Sequence, residues 1–179
     1  WSRLLVAGFV AAGVRDVVVS PGSRSTPIIL ALLDEPRLRR HVLVDERSAA
    51  FFALGQARVT GRPTVLVRTS GSAGANDFPA VVEASASGVP LLVVTADRPP
   101  ELQHVQANQT IDQLGLFGLH QRQELMQELA DRLAGHVLLG DRHRAVVPAA
   151  ADLAHGGGEH LFEIETALPR YTSLRVTWD

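Results

Sequence analysis

Apolar and polar positions alternate along the first hundred residues in two distinct patterns. Four short runs of β-branched and other apolar residues are typical of strands, and they lie at 16–19, 41–44, 64–68 and 90–95. Between these runs apolar residues recur at helical spacing, which predicts helices at 2–13, 26–33, 46–59 and 76–87. Near-continuous apolar strands that alternate with helices indicate an α/β fold, in which a parallel sheet is covered by helices on both faces.

The pattern changes beyond about residue 120. Residues 121–134 form a polar stretch with helical spacing, and residues 161–166 alternate like a strand after a run of three glycines. We therefore expect one α/β domain over residues 1–120. For residues 121–179 the sequence predicts a helical stretch and a helix–strand segment, but no particular fold.

Four polar segments follow the four predicted strands, each at the point where its strand ends. They are Ser20 to Ser25, the pair Asp45-Glu46, Thr69 to Asn76, and Thr95 to Glu101. In parallel sheets of this kind, ligands bind in the crevice outside the carboxyl ends of the strands. The four segments should therefore meet at one edge of the sheet, and a functional site is expected there.

Composition excludes several classes of function. The 179 residues include 17 Lys and Arg against 19 Asp and Glu, a net charge of −2 without a basic stripe, so nucleic-acid binding is not expected. The absence of cysteine excludes disulfides and thiolate metal sites and fits a reducing compartment. No apolar run reaches membrane-spanning length and no signal peptide is recognisable, so we expect a cytoplasmic protein that is not inserted in a membrane.

Glu46 is the first candidate for chemistry. It lies where the strand at 41–44 meets the helix at 46–59, and an acid in the first turn of a helix is favourable for electrostatic reasons alone. A solvated first-turn acid is thus one interpretation. A functional carboxylate is the other, because three further polar loops should lie at the same edge.

Two loops leave similar alternatives open. Ser70 to Gly74 could hold a phosphate at a helix start, although no lysine follows as in a P-loop, or form a tight turn against the flat face of a ligand. Ser23 and Arg24 could bind an anion, or the segment could be a helix N-cap at Ser25 or Thr26 beside a surface arginine. Arg98, before the pair Pro99-Pro100, could be a salt-bridged loop residue or a rigidly aimed cation.

Six motifs, in this order, resemble one family. They are SPGSRSTP from Ser20, DERSAAFFALG from Asp45, TSGSAGAN from Thr69, PAVVEA from Pro79, TADRPPEL from Thr95 and ANQTIDQ from Ala107. The chain is similar, over about residues 2–119, to the thiamine-diphosphate-dependent 2-succinyl-5-enolpyruvyl-6-hydroxy-3-cyclohexene-1-carboxylate synthases of menaquinone biosynthesis. The resemblance implies their amino-terminal pyrimidine-binding domain, with a flavodoxin-like parallel sheet.

The resemblance also implies a reaction and its residues. These transferases use thiamine diphosphate and Mg²⁺ to join decarboxylated 2-oxoglutarate to isochorismate, and the cofactor supplies the electron sink. Glu46 matches the glutamate that hydrogen-bonds the aminopyrimidine ring. Substrate-binding positions correspond to Ser23, Arg24, Arg98 and Gln109, and cofactor-binding positions to Glu46, Ser70, Gly71, Ser72, Asn76 and Gln109. The expected assembly is a homodimer or a dimer of dimers, with helix 46–59 packed across a two-fold axis.

Some features depart from the family. Its Gly-Asp-Gly…Asn motif for diphosphate and magnesium is absent from these 179 residues, so we expect the magnesium ligands in a missing domain and no activity from this chain alone. Residues 144–166 loosely resemble the end of the family's carboxyl-terminal domain. Gly74, Asp77 and Gln106 differ from the residue types expected there.

Two other functions stay open. One is a non-catalytic binding module derived from a thiamine-diphosphate enzyme. The other is an acetolactate-type carboligase, against which Arg24 and Arg98 argue because a pyruvate site needs less positive charge.

Overall fold

The first 120 residues form four strands, each preceded by a helix. The computed structural model describes residues 2–120 and four further strands at 138–140, 144–147, 160–165 and 172–176. The elements of the first part are α1 (Ser2–Ala11), β1 (Asp16–Val19), α2 (Thr26–Leu33), β2 (Arg39–Val42), α3 (Glu46–Thr60), β3 (Thr64–Arg68), α4 (Phe78–Ser87) and β4 (Leu91–Ala96). Single 3₁₀ turns lie at Ser23–Ser25, Gly71–Asp77, Pro100–Leu102 and Gly118–His120.

The strands join in one sheet whose first part is parallel. β1 lies between β2 and β3, and β4 pairs with the outer side of β3, all in parallel. The sheet continues through β8 (Thr172–Val176), β7 (His160–Glu165), β6 (Arg144–Val147) and β5 (Leu138–Gly140). β8 is parallel to β4, whereas the pairs β8–β7, β7–β6 and β6–β5 are antiparallel. The parallel α/β sheet predicted from the sequence is confirmed for β1 to β4. The domain boundary near residue 120 stays a prediction.

Helices cover both faces of the parallel strands because the strand side chains alternate. Val17 and Val19 of β1 belong to a core shared with α1 and α2, which contribute Phe9 and Ile28. Val18, on the opposite face, belongs to a second core made with α3 and α4. Burial on both faces explains why these strands are apolar at nearly every position.

The bounds of β2 and the start of α4 differ from those predicted, each for a physical reason. β2 begins and ends two residues earlier than the apolar run suggested, because it is an edge strand and its residues are mostly exposed. α4 begins at Phe78, since the preceding segment forms the 3₁₀ turn Gly71–Asp77. Ala49, Ala50, Ala53 and Ala57 form the buried face of α3, whereas Phe51 and Phe52 are exposed.

In the part of the chain covered by the structure, no helix is both long enough and apolar enough to cross a membrane. The predicted helical stretch at 121–134 lies outside the described residues.

Candidate active site at the carboxyl edge of the sheet

The four polar segments lie at one edge of the sheet, as predicted. The register pairs Val19 at the end of β1 with Val42 and Val67, and Arg68 at the end of β3 with Thr95 of β4. All four strands are parallel, so their carboxyl ends lie at the same edge. The loops that follow therefore form a common surface.

Glu46 is the first residue of α3 and lies half-buried at this edge. Asp45 caps the helix, because its Oδ1 accepts a hydrogen bond from the backbone N–H of Ser48 at 2.7 Å. Hydrogen bonding to the Ser48 side chain and then to its backbone N–H holds the pKa of Asp45 below its usual value. The Glu46 carbonyl accepts a bond from Arg68 at 3.4 Å. Among the described residues, no group donates a hydrogen bond to the Glu46 carboxylate. Within the part of the chain that the structure describes, this carboxylate is thus available to an external donor.

Gln109 connects three of the loops. Its side-chain Oε1 accepts a hydrogen bond from Arg24 Nη1 at 2.6 Å, and its carbonyl accepts one from Ser70 Oγ at 2.8 Å. Gly71 lies so close that an added Cβ would stand 3.0 Å from Gln109 Cα, and its φ of +79° also favours glycine. Gln109 itself adopts a φ of +54°. The structure thus brings together Arg24, Ser70, Gly71 and Gln109 of the predicted site.

Arg98 lies beside the same group. Its Nε and Nη2 donate to the carbonyl of Asn108 at 3.1 and 2.7 Å, and its backbone N–H donates to Asp97 Oδ1 at 2.7 Å. Burial lowers the pKa of Arg24 below its ordinary value, and the nearby positive charge of Arg98 lowers it further. Two guanidinium groups are therefore held within electrostatic reach of each other, an arrangement that suits an anionic ligand.

The remaining predicted residues are more exposed. Ser23 begins the 3₁₀ turn after β1, and its side chain is exposed. Ser72 and Asn76 are exposed on the turn after β3, where the Asn76 amide donates to the Ser72 carbonyl at 3.2 Å. This bond stabilises the turn. The roles of these three residues stay predictions.

A buried ion pair at this edge was not predicted. Arg68 Nε donates to both carboxylate oxygens of Asp77 at 3.0 Å, and both side chains are fully buried. Burial raises the pKa of Asp77 to about 7, Arg68 opposes that rise, and the charge of Glu46 adds to it. The only sequence signals are an arginine that ends an apolar strand and an aspartate nine residues later. This ion pair explains why an aspartate lies at position 77, where the family led us to expect a different residue type.

Gly74 also has a structural reason. An added Cβ at this position would lie 2.8 Å from Thr95 Cγ2, closer than packed carbon atoms approach. Among the described residues no group of three or more His, Cys, Asp or Glu side chains could hold a metal ion.

Comparison with known proteins agrees with this geometry. Residues 1–116 match the family model described as thiamine pyrophosphate enzyme, N-terminal TPP binding domain. Among similar curated proteins, the 2-succinyl-5-enolpyruvyl-6-hydroxy-3-cyclohexene-1-carboxylate synthase of Dechloromonas aromatica is 59% identical over 122 residues, which cover 68% of this chain and 23% of that protein. Those of the same name from Lysinibacillus sphaericus and Synechococcus elongatus are 50% and 47% identical over 157 and 161 residues, or 88% and 90% of this chain.

The resemblance inferred from the six motifs is confirmed by these matches. The chain spans about a quarter of the length of these relatives, with 28% and 27% of the Lysinibacillus and Synechococcus proteins covered. The family model covers more than half of the chain, and its extent coincides with the elements that build the edge described above. The chain therefore belongs to the thiamine pyrophosphate enzymes and carries their N-terminal TPP-binding domain.

Proposed function

We propose that this chain is the pyrimidine-binding part of a thiamine-diphosphate-dependent transferase that joins decarboxylated 2-oxoglutarate to isochorismate, as the names of its relatives imply. The observation that carries the proposal is the half-buried Glu46 carboxylate at the carboxyl edge, to which no described residue donates a hydrogen bond. A carboxylate placed in this way suits a ring nitrogen that must be protonated or hydrogen-bonded.

The residues present fit the pyrimidine half of the cofactor. Glu46 would hold a proton between its carboxylate and the aminopyrimidine ring, and the turn with Ser70, Gly71, Ser72 and Asn76, together with Gln109, would form the adjoining wall. When bound, the cofactor supplies the electron sink for decarboxylation and carbon–carbon bond formation. The chain contributes orientation of the ring and the position of the proton.

The two arginines support anionic substrates. Isochorismate and 2-oxoglutarate are both dicarboxylates, and arginine matches a carboxylate with two parallel hydrogen bonds. We assign Arg24 and Arg98 to a carboxylate, with Gln109 and Ser23 as neighbouring polar contacts. Gln109 already holds Arg24 in place through the 2.6 Å bond.

The diphosphate and Mg²⁺ would be bound outside this chain. Its 179 residues lack the family's Gly-Asp-Gly…Asn motif. We expect the magnesium ligands on a separate domain, and we expect the isolated chain to give no turnover. We further propose that the protein works in the cytoplasm, where its cofactor and substrates are dissolved.

The test is a chimera in which the 122 matched residues of the Dechloromonas aromatica synthase are replaced by those of this chain. The chimera should form product from isochorismate, 2-oxoglutarate, thiamine diphosphate and Mg²⁺. Glu46→Gln should lower its kcat by about 100-fold or more, because the proton-holding carboxylate is lost. Glu83→Gln, on the exposed face of α4, is the matched control and should leave kcat unchanged. A folded chimera with no turnover, or with equal rates for both variants, would contradict the proposal.

A second candidate is a non-catalytic module that binds thiamine compounds. The absent diphosphate motif favours it. An inactive chimera that still binds thiamine diphosphate would support this candidate over the first. An acetolactate-type carboligase is tested in the same chimera, because Arg24→Gln should then leave the KM of its substrate, pyruvate, unchanged.

A further inference from the structure

Arg68 contacts three segments of the active-site edge from the protein interior: the glycine-rich turn, the loop after β1 and the start of α3. It is the last residue of β3, and its side chain is completely buried although it carries a full positive charge. Burial of a charge is costly unless the charge is paired and its hydrogen-bonding groups are satisfied. The contacts of Arg68 therefore show what the guanidinium holds together.

One side of the guanidinium is paired with Asp77. Nε lies 3.0 Å from each carboxylate oxygen, which fixes the guanidinium against the turn Gly71–Asp77. Asp77 ends the turn that carries Ser70, Gly71 and Ser72 at its beginning. The ion pair therefore joins the glycine-rich turn to the end of β3.

The other nitrogens reach the ends of β1 and β2. Nη1 donates to the Val18 carbonyl at 3.4 Å and to Ser20 Oγ at 3.2 Å, and the Ser20 hydroxyl in turn donates to the Leu43 carbonyl at 2.8 Å. Nη1 also lies 3.2 Å from the Val67 carbonyl. These contacts connect the end of β1 with the end of β3 and, through Ser20, with the segment that follows β2.

Nη2 reaches Glu46 itself. It donates to the Glu46 carbonyl at 3.4 Å, so the residue that carries the proposed catalytic carboxylate is tied by its backbone to the buried pair. The Glu46 carboxylate is also within electrostatic reach of Asp77, because its charge disfavours a second negative charge there. Arg68 thus pairs with the Asp77 side chain and contacts the Glu46 backbone at the same time.

We propose that Arg68 and Asp77 are positioning residues for Glu46: the ion pair, through the contact of Arg68 with the Glu46 carbonyl, fixes the first turn of α3 relative to the glycine-rich turn. This inference rests on the proposed catalytic role of Glu46. Because the charge of Glu46 also acts on Asp77, removal of that charge should in addition change the titration of Asp77.

The first test uses the unliganded 179-residue chain and carbon-detected NMR of the Asp77 carboxylate. The pKa of Asp77 is about 7 in the parent chain. Glu46→Gln removes a neighbouring negative charge, so the Asp77 titration should move to lower pH. Glu83→Gln removes the same charge from the exposed face of α4 and should leave the titration unchanged. Equal midpoints in the parent and both variants would overturn the coupling.

The second test uses hydrogen exchange of backbone amides in α3. Arg68→Met/Asp77→Leu replaces the pair by apolar residues, a change that buried ion pairs often tolerate. Amides of the first turn, at Ala49 and Ala50, should then exchange about tenfold faster, as expected for the loss of one hydrogen bond to a charged group. Amides near Thr60, at the other end of the helix, should keep their protection. Arg39→Met is the matched control, because Arg39 forms the other strand arginine–aspartate pair, with Asp16.

The outcomes separate this inference from the proposed function. Unchanged first-turn exchange in the double variant would overturn the positioning role, whatever the chimera does. Should the double variant not fold, the same exchange measurement on Arg68→Lys decides the positioning role, because lysine keeps the charge but cannot make the separate contacts of Nε, Nη1 and Nη2. A chimera without turnover would overturn the catalytic role of Glu46, whereas the link between Asp77 and Glu46 would still be measured in the free chain.

Discussion

The Ser70 hydroxyl donates a hydrogen bond to the Gln109 carbonyl at 2.8 Å across 39 residues of sequence. Ser70 is almost fully buried, and the bond joins the start of the glycine-rich turn to the segment that follows β4. Gln109 adopts a left-handed φ of +54°, so its position depends on contacts of this kind. The bond therefore fixes the residue that also holds Arg24.

Ser70→Ala should lower the free energy of unfolding by about 1 kcal/mol, because the Gln109 carbonyl loses a buried partner. Chemical denaturation of the chain measures this change. Ser72→Ala, on the exposed part of the same turn, is the control and should change stability by less than about 0.5 kcal/mol. Equal effects of the two substitutions would contradict the assigned contact.

Gly74→Ala tests the close packing of the glycine-rich turn against β4. The new methyl group would stand 2.8 Å from Thr95 Cγ2. We therefore expect overpacking to lower the free energy of unfolding by about 1 to 3 kcal/mol. Thr95→Ser removes the opposing methyl group and should restore part of that loss.

The matched control for Gly74→Ala is Gly55→Ala in α3. Apart from its chain neighbours and the backbone of α3 itself, no atom lies within 4 Å of a Cβ at Gly55, so alanine should stabilise the helix by about 0.5 to 1 kcal/mol. Thermal unfolding of both variants would show opposite signs. A neutral Gly74→Ala would mean that the turn can shift away from Thr95.

The sequence was sufficient for elements buried on both faces and insufficient for contacts between loops. β1 and β3 have the predicted bounds because covered parallel strands are apolar throughout. β2 was shifted by two residues, since Arg39 and Arg40 at an exposed edge carry no apolar signal. Helical spacing alone did not show which apolar side chains of α3 lie outside, and both Phe51 and Phe52 are exposed.

Site residues were named by resemblance and their common edge followed from the strand pattern, but the contacts between the loops were not predicted. Left-handed backbone at His104, Gln106 and Gln109 turns the segment after β4 back toward Ser70, and none of these residues is a glycine that would have signalled the turn. The Arg68–Asp77 pair depends on the 3₁₀ turn between them. A charge pattern in sequence does not indicate whether two opposite charges meet in the core or in solvent.

The environment of Asp16 predicts how the free energy of unfolding changes at low pH. Burial raises the pKa of Asp16, but hydrogen bonds from Arg39 and His41 outweigh burial, so the pKa in the folded chain lies below its ordinary value of 3.8. Arg39 Nη2 and His41 Nε2 lie 2.6 and 3.1 Å from the two carboxylate oxygens. A lowered folded pKa contributes stability above the unfolded value, and that contribution is lost as the pH falls through the folded value.

The free energy of unfolding of the parent chain should therefore fall more steeply than that of Asp16→Asn between about pH 5 and pH 2. Urea denaturation at a series of pH values measures the two slopes. Asp34→Asn is the control, because the Asp34–Arg3 ion pair is exposed and contributes little. Parallel curves for the parent and Asp16→Asn would contradict the role of the hydrogen bonds from Arg39 and His41.

The contribution of Asp77 to stability depends on pH in the opposite direction. Its pKa is raised in the folded chain, so this contribution decreases as the pH rises toward 7.

The exposed face of α3 predicts how the protein assembles. Phe51, Phe52 and Val59 are 45%, 42% and 88% exposed, and all three border a shallow groove of about 470 Å³ beside Gly55 and Gln56. Large apolar side chains grouped on one surface are typical of an interface. We propose that this face packs across a two-fold axis, which makes the protein a homodimer or a dimer of dimers with the Glu46 edge near the interface.

Sedimentation of the chimera at micromolar concentration with cofactor tests this assembly. The double variant Phe51→Ser/Phe52→Ser should sediment as a monomer, because it removes the two aromatic rings that would be buried between subunits. Leu30→Ser/Leu33→Ser is the matched control, since these leucines of α2 are 56% and 58% exposed on the other side of the sheet. The control should keep the oligomeric state of the parent. A parent chimera that sediments as a monomer, or two double variants that behave alike, would contradict an interface on α3.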